Sequence, residues 1–250
     1  MNEEKFTGLA AVYSKFRPGY PADLLQYLHA EAGFAPGKTV ADIGAGTGIF
    51  SKFLAEGNSP VICVEPNPGM LALAKQELAL YPLCRFVQAS AEHTTLPESS
   101  VNFVTVAQAF HWFNREAFRL ECQRILKPGG RVVLVWNSRE QRAAITVENA
   151  AVNRQYCPNF KGFSGGIQED PAFYANFFKN GRCECKAIEN NLLFTLENFI
   201  GRNLSSSYAP KQGSPQYKNY IKALEGLFNR YSKGGMLAVP NAAKSYMGAV

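Results

Sequence analysis

Three stretches of the chain hold residue types whose spacing suits chemistry. In the first, Asp42-Ile43-Gly44-Ala45-Gly46-Thr47-Gly48, three glycines alternate between the apolar Val40-Ala41 and a helically spaced run, Ile49-Phe50-Ser51-Lys52-Phe53-Leu54. Such glycines permit positive φ and let a ligand lie against the backbone with no Cβ in the way. The helix start that follows offers free N–H groups to a carboxylate or phosphate. In the second, the run Pro60–Val64 ends in Glu65, where a carboxylate can accept hydrogen bonds from ribose hydroxyls. The third, Gln108-Ala109-Phe110-His111-Trp112-Phe113, holds the one histidine expected at a strand end, a candidate general base. His29 and His93 are less well placed for that role. The glycine turn and Glu65 together predict a ribosyl cofactor. The dinucleotide fingerprint G-x-G-x-x-G/A is a poor fit: Ile49 stands where its third small residue belongs, and Gly48 comes one residue early.

The stretch D-x-G-x-G-x-G resembles the first motif of class I S-adenosylmethionine (SAM) methyltransferases. Leu126-Lys127-Pro128-Gly129-Gly130 before a strand resembles the same enzymes. Two further stretches, Tyr13-x-x-x-Arg17-Pro18-Gly19-Tyr20-Pro21 and Ala107–Phe113, resemble the branch that includes trans-aconitate methyltransferases. The resemblance implies SAM as cofactor, S-adenosylhomocysteine as its product, and a class I fold. That fold is α/β: a Rossmann-like, seven-stranded, mostly parallel sheet with helices on both faces and a helical lid. The resemblance also implies roles. Gly44, Ala45, Gly46, Thr47 and Pro66 would line the cofactor, Tyr13 would cover its methionine, and Arg17 would pair with its carboxylate. Met70, Ala91 and Glu92 would meet the adenine, and Gln108 and Ala109 would border the methionine. Phe110, His111 and Trp112 would face the sulfonium or the acceptor, with Tyr20 and Trp136 completing an aromatic pocket. A surface-packing N-terminal helix, a solvent-facing Glu65, a core Met70 and a backbone-bonded His111 are the plainer readings of the same residues.

Around these stretches the pattern predicts alternating strands and helices. Pro21 opens a helix to about residue 29. Strands are expected over Val40–Ile43, Pro60–Glu65, Cys84–Gln88, Val101–Ala107 and Arg131–Asn137, and Asn67 and Asn114 serve as helix N-caps. Beyond Ser138 we expect helices at about 139–156, 170–178, 196–205 and 215–231, one strand over 183–195 and a last strand over 237–246. The organisation that follows is an N-terminal covering segment (1–37), a cofactor-binding core (38–137), and the rest of the sheet with an inserted lid (138–250).

The composition, 46% hydrophobic and 18% charged over 250 residues, is that of a globular chain with a full core. No apolar run reaches membrane-spanning length and no secretory leader is visible, so a cytoplasmic protein is expected. The six cysteines form no metal-ligand pattern and are read as reduced thiols; no metal is expected. The net charge is +6, and residues 198–250 hold seven basic side chains against Glu225 alone. That excess could favour an anionic small-molecule substrate, and it lacks the clustering of a nucleic-acid surface. A monomer or homodimer is expected. The expected activity is methyl transfer from SAM to a small molecule, with a carboxylate as one candidate acceptor. The alternatives are a SAM-binding protein of the same fold without turnover, an NAD-dependent oxidoreductase, or an RNA methyltransferase.

Overall fold

The computed structural model describes residues 19–163 and 171–250. Tyr13 and Arg17 lie outside the described residues. The chain runs α1 (Ala22–Ala30), β1 (Val40–Ile43), α2 (Ile49–Glu56), β2 (Val61–Val64), α3 (Pro68–Glu77), β3 (Cys84–Val87), β4 (Val101–Ala107), α4 (Arg115–Ile125) and β5 (Leu126–Arg139). Then follow α5 (Ala144–Tyr156), α6 (Pro171–Ala175), β6 (Glu184–Glu189), β7 (Leu192–Phe194), α7 (Leu196–Leu204), α8 (Tyr217–Tyr231), β8 (Leu237–Val239) and β9 (Asn241–Gly248).

Seven strands form one sheet in the order β3-β2-β1-β4-β5-β9-β6. Strands β1 to β5 are parallel, and β9 runs antiparallel between β5 and β6. The order reverses between β1 and β4, so the carboxyl ends of these two strands open a crevice there. Strand periodicity divides the core between the two faces. Val132, Leu134 and Trp136 join one apolar cluster with Phe118, Cys122 and Ile125 of α4; Val133 and Val135 join another with Leu24 and Leu28 of α1 and Phe50 and Leu54 of α2. Residues that alternate in sequence thus serve opposite layers. Each fully buried valine contributes about 1.5–3 kcal/mol by leaving water. The caps at Asn67 and Asn114 form as expected, each side chain accepting from the backbone N–H three residues on.

A third apolar cluster lies in the C-terminal part. Tyr220, Leu224, Leu227 and Phe228 of α8 pack with Ile145 of α5, Phe199 of α7 and Leu237 of β8. Here the sequence reading needs correction. The single strand expected over 183–195 is two strands in two sheets: β6 belongs to the main sheet, and β7 pairs with β8 in a separate two-stranded one. Asn190 makes the break: its N–H donates to the Asn241 carbonyl, and its amide nitrogen donates to Asn137 Oδ1. The last strand divides likewise at Pro240, which has no N–H for a ladder. β9 continues to Gly248. The helix expected from about 139 begins at Ala144, because β5 stays paired with β9 through Arg139↔Asn241. The helix expected over 170–178 is shorter, Pro171–Ala175.

All six cysteines are free thiols, with Cys183 and Cys185 Sγ 3.8 Å apart. Among the described residues no helix is long and apolar enough to cross a membrane, and no three His, Cys, Asp or Glu gather as metal ligands.

Candidate functional site

The glycine turn sits at the carboxyl end of β1. Gly44, Gly46 and Gly48 have φ of 69°, 58° and 83°, all in the region that favours glycine. The three differ in what their backbone approaches. A Cβ on Gly44 would meet Ala109 Cβ at 2.7 Å and Phe113 Cζ at 3.1 Å, so this glycine lets the β1 and β4 ends close on each other. A Cβ on Gly48 would press Leu78 and Ala74 at 3.1 and 3.2 Å. A Cβ on Gly46 would meet nothing within 4 Å. Gly46 lines an open cleft of about 820 Å³, and this bare backbone is the one a ligand can lie against.

Beneath the turn, Asp42 is 1% exposed and accepts from Ser51 Oγ (2.6 Å) and Thr105 Oγ1 (2.9 Å). It therefore ties β1 to α2 and β4. Burial pushes its carboxyl up to about 6, against the pull of the two hydroxyls. Glu65, at the end of β2, accepts from Gly46 N–H at 2.9 Å and Asn67 N–H at 3.0 Å. The carboxylate foreseen as a ribose ligand thus also braces the glycine turn against the start of α3. A carboxylate oxygen can accept more than one hydrogen bond, so these two contacts are compatible with a role as ligand.

The remaining expected cofactor residues converge on the same cleft: Ala45, Thr47, Pro66, Met70, Ala91, Glu92, Gln108 and Ala109 all line it. Glu92 also accepts from the Asn114 N–H at 2.9 Å, which fixes the start of α4. Gln108 is a non-glycine residue at φ 62°, held by its N–H to the Val135 carbonyl (3.0 Å). Such a conformation costs about 1–3 kcal/mol and survives only where the surroundings impose it, as they do here beside the cleft.

Farther in, Tyr20, His111, Trp112 and Trp136 line the cleft, Tyr20 resting its ring on Phe50 at 4.7 Å. Phe110, expected to face the same space, does not. It is 1% exposed and packs on Phe177 at 4.9 Å and on Phe118 at 6.3 Å, deep in the α4-side core. A short 3-10 turn over Phe110–Trp112 rotates it inward and presents His111, Trp112 and Phe113 instead. The His111 ring lies 4.4 Å from Trp112 and 5.2 Å from Trp136. Its Nδ1 is buried with no partner among the described residues. Burial pushes the imidazole down to about 4, which keeps it neutral near pH 7.

Sequence reasoning missed the opposite wall. Arg139 ends β5, Lys161 and Phe163 follow α5, and Arg202 projects from α7, with Tyr208 and Asn241 beside them. The Arg139 guanidinium sits over the Phe163 ring at 4.3 Å. Of the seven basic residues in 198–250, only Arg202 lines the cleft, and Arg230 pairs with Glu148. The C-terminal charge excess is therefore not what makes this wall cationic. A basic residue two positions past the strand expected over Arg131–Asn137 was the signal available for Arg139.

Residues 41–134 match the family model described as a methyltransferase domain. The chain is 36% identical over 137 residues to an uncharacterized methyltransferase of Mycobacterium tuberculosis, covering 55% of this chain and 54% of that one. It is 32% identical over 127 residues to the Saccharomyces cerevisiae protein named "Probable S-adenosylmethionine-dependent methyltransferase CRG1", covering 48% of this chain and 43% of that one. The chain thus spans about half the length of the curated relatives it matches. Among solved structures, a SAM-dependent methyltransferase from Aquifex aeolicus superposes with a TM-score of 0.54 at 17% identity, over 72% of this chain and 92% of that one. A Haemonchus contortus phosphoethanolamine N-methyltransferase, solved with phosphomonomethylethanolamine and S-adenosylhomocysteine, gives 0.52 at 17% identity, over 97% of this chain and 57% of that one. At these identities the structures speak for the fold.

Proposed function

We propose, from the match of residues 41–134 to a methyltransferase-domain model, that the protein is a class I methyltransferase that transfers a methyl group from SAM to a small molecule. One observation carries this reading: the glycine turn, Glu65 and the Gln108–Phe113 loop, distant in sequence, line a single cleft. Its volume, about 820 Å³, leaves room for an acceptor beside a nucleoside cofactor. The open space at Gly46 fits a ligand edge where any Cβ would intrude.

SAM, when bound, supplies a methyl already activated on a sulfonium. The chain's own residues then bind, orient and exclude water. Glu65 would accept from the ribose hydroxyls while keeping its hold on Gly46. Met70, Ala91 and Glu92 would flank the adenine, and Gln108 and Ala109 the methionine portion. Tyr13 and Arg17 belong to the same proposal, as cover and as partner of the cofactor carboxylate. Trp112, Phe113 and Trp136 would give the reacting atoms a partly apolar surround, which suits a step that disperses charge. The main contribution to rate is alignment of the nucleophile with the carbon–sulfur bond.

The state of His111 bears on the acceptor. A neutral imidazole pushed down to about 4 is a weak base that can still orient a nucleophile through a hydrogen bond. A carboxylate acceptor needs no proton removed and suits such a site; an alcohol suits it poorly. A carboxylate is therefore an acceptor that this site could serve without a general base. The 1–37, 38–137 and 138–250 division belongs to the proposal too, the last part supplying the acceptor wall.

Calorimetric titration of the purified protein with SAM, with NAD as the control, tests the reading. A 1:1 isotherm with SAM alone supports it, and binding of NAD without SAM overturns it. Turnover with no candidate acid, despite firm SAM binding, would favour the non-catalytic SAM-binding alternative.

A further inference from the structure

The charges that line the cleft are segregated. Its acids, Asp42, Glu65 and Glu92, all belong to the glycine-turn half, and each is engaged by neighbouring hydroxyl or backbone N–H donors. Its cations, Arg139, Lys161 and Arg202, all belong to the opposite wall, which among the described residues includes no acid. Three separate elements bring them together: the end of β5, the loop after α5, and α7. Convergence from three elements onto one cavity differs from a basic stripe along one helix, which would be a solvated face.

Two neutral donors add an independent observation. Trp136 Nε1 and Asn241 Nδ2 are buried without an acceptor among the described residues, in side chains only 3% and 6% exposed. An indole N–H can only donate, and a buried donor lacking an acceptor is an uncompensated desolvation. Both residues line the cleft. This wall therefore offers donors and positive charge and, among the described residues, no carboxylate.

We propose that Arg139, Lys161 and Arg202 form an oxyanion-binding subsite that selects the methyl acceptor by an anionic group other than the one methylated. The proposal rests on the methyltransferase reading above. Arg139 lies three residues beyond Trp136 on the same strand, about 10 Å along it at the usual rise per residue. Trp136 contacts His111, beside which transfer would occur. The acceptor class is thus a small molecule bearing a carboxylate or a phosphate several ångströms from its nucleophile. Arg139, stacked on Phe163, presents a fixed planar fork of the kind that pairs with either oxyanion, while Lys161 adds a point charge from a mobile stem.

The test uses the full chain saturated with S-adenosylhomocysteine and titrated calorimetrically with glutarate or, in a second arm, phenyl phosphate. At least one of the two should bind, and the arm that does identifies the oxyanion. Lys161→Glu and Arg202→Leu should each weaken that binding tenfold or more, with S-adenosylhomocysteine affinity within about twofold of the parent. Lys161 is exposed on a loop, so its variant remains informative even where Arg202→Leu misfolds. Absence of binding in both arms, or binding that survives both substitutions, overturns the subsite. Loss of S-adenosylhomocysteine affinity in the variants also overturns it, because it assigns these cations to the cofactor's own carboxylate. A parent protein that does not bind S-adenosylhomocysteine at all refutes the methyltransferase reading instead.

Discussion

Gly44 and Gly46 are two residues apart in one turn, yet the structure assigns alanine at each a different consequence. At Gly46 the added methyl meets nothing within 4 Å, so the folded state bears only the penalty of an L-residue at φ 58°. That penalty is about 1–2 kcal/mol. In a domain of this size each kcal/mol lowers Tm by about 2–4 °C, so Gly46→Ala should melt a few degrees below the parent. At Gly44 the same backbone penalty applies at φ 69°, and the methyl also falls 2.7 Å from Ala109 Cβ. Overpacking of that kind adds about 1–3 kcal/mol. The sum, about 2–5 kcal/mol, should depress Tm two to three times as far. SAM binding should rank the two differently. The Gly46 methyl occupies space in the cleft and should weaken SAM by tenfold or more in a protein that is still well folded. Thermal melts followed by circular dichroism, with SAM calorimetry on the same preparations, measure both quantities. A Gly46→Ala variant that binds SAM as tightly as the parent would refute the placement of the cofactor against this backbone. Equal melting losses for both variants would refute the account of Gly44 as a close-approach residue.

Replacing Glu65 by Ala removes the acceptor for the Gly46 and Asn67 N–H groups as well as the proposed ribose ligand, so SAM affinity should fall by more than the roughly 1–2 kcal/mol of the ribose bonds alone. Unchanged affinity by calorimetry would remove Glu65 from the site. Because burial holds His111 down to about 4, the pH–rate profile should show no imidazole step between about pH 6 and about pH 8; a step there that disappears in His111→Asn would make it a titrating base. Asp42 and His111 should also oppose each other in stability. The raised Asp42 carboxyl contributes stability below its unfolded value of 3.8 that is lost as pH rises through about 6, whereas the lowered His111 loses stability as pH falls from 6.5 towards about 4. Urea midpoints of the parent should therefore change little between about pH 4.5 and about pH 6. Asp42→Asn should leave the His111 slope exposed, up to about 1.4 kcal/mol per pH unit with stability falling as pH falls; profiles that stay parallel would refute the pairing.

The strand–turn–helix core was legible because its signals are local. Val40–Ile43, the glycines and the Asn67 and Asn114 caps dictate backbone conformation within a few residues of themselves. Their strands lie parallel, buried on both faces, and read as short apolar runs. The region beyond Ser138 obeys longer-range rules. Nothing local in the alternating residues 183–195 says that the chain changes sheets at Asn190. The change follows from hydrogen bonds to Asn137 and Asn241, residues 53 and 51 positions away. Pro240 was a local signal that the single strand expected over 237–246 passed over, since a residue without an N–H interrupts a ladder wherever it stands.

The same distinction explains the site. Phe110 was placed at the cleft with His111 and Trp112 by the resemblance of Ala107–Phe113 to the trans-aconitate methyltransferase branch, and adjacent positions in a loop have no fixed period to say which ring turns inward. A one-turn 3-10 segment decides it, sending Phe110 to the core and His111 and Trp112 to the cleft. The acceptor wall was harder still. Arg139, Lys161 and Arg202 are unremarkable basic residues one at a time, and the seven cations of the C-terminal stretch drew attention away from two of the three. What makes them a candidate site is their meeting across a cavity, a property of the tertiary structure with no counterpart in spacing. A binding surface assembled from a strand end, a loop and a lid helix can change its chemistry by single substitutions while the glycine turn and its carboxylates keep one backbone geometry. Cofactor chemistry in such a fold is therefore written in contiguous motifs, and acceptor choice in scattered side chains that only the folded chain brings together.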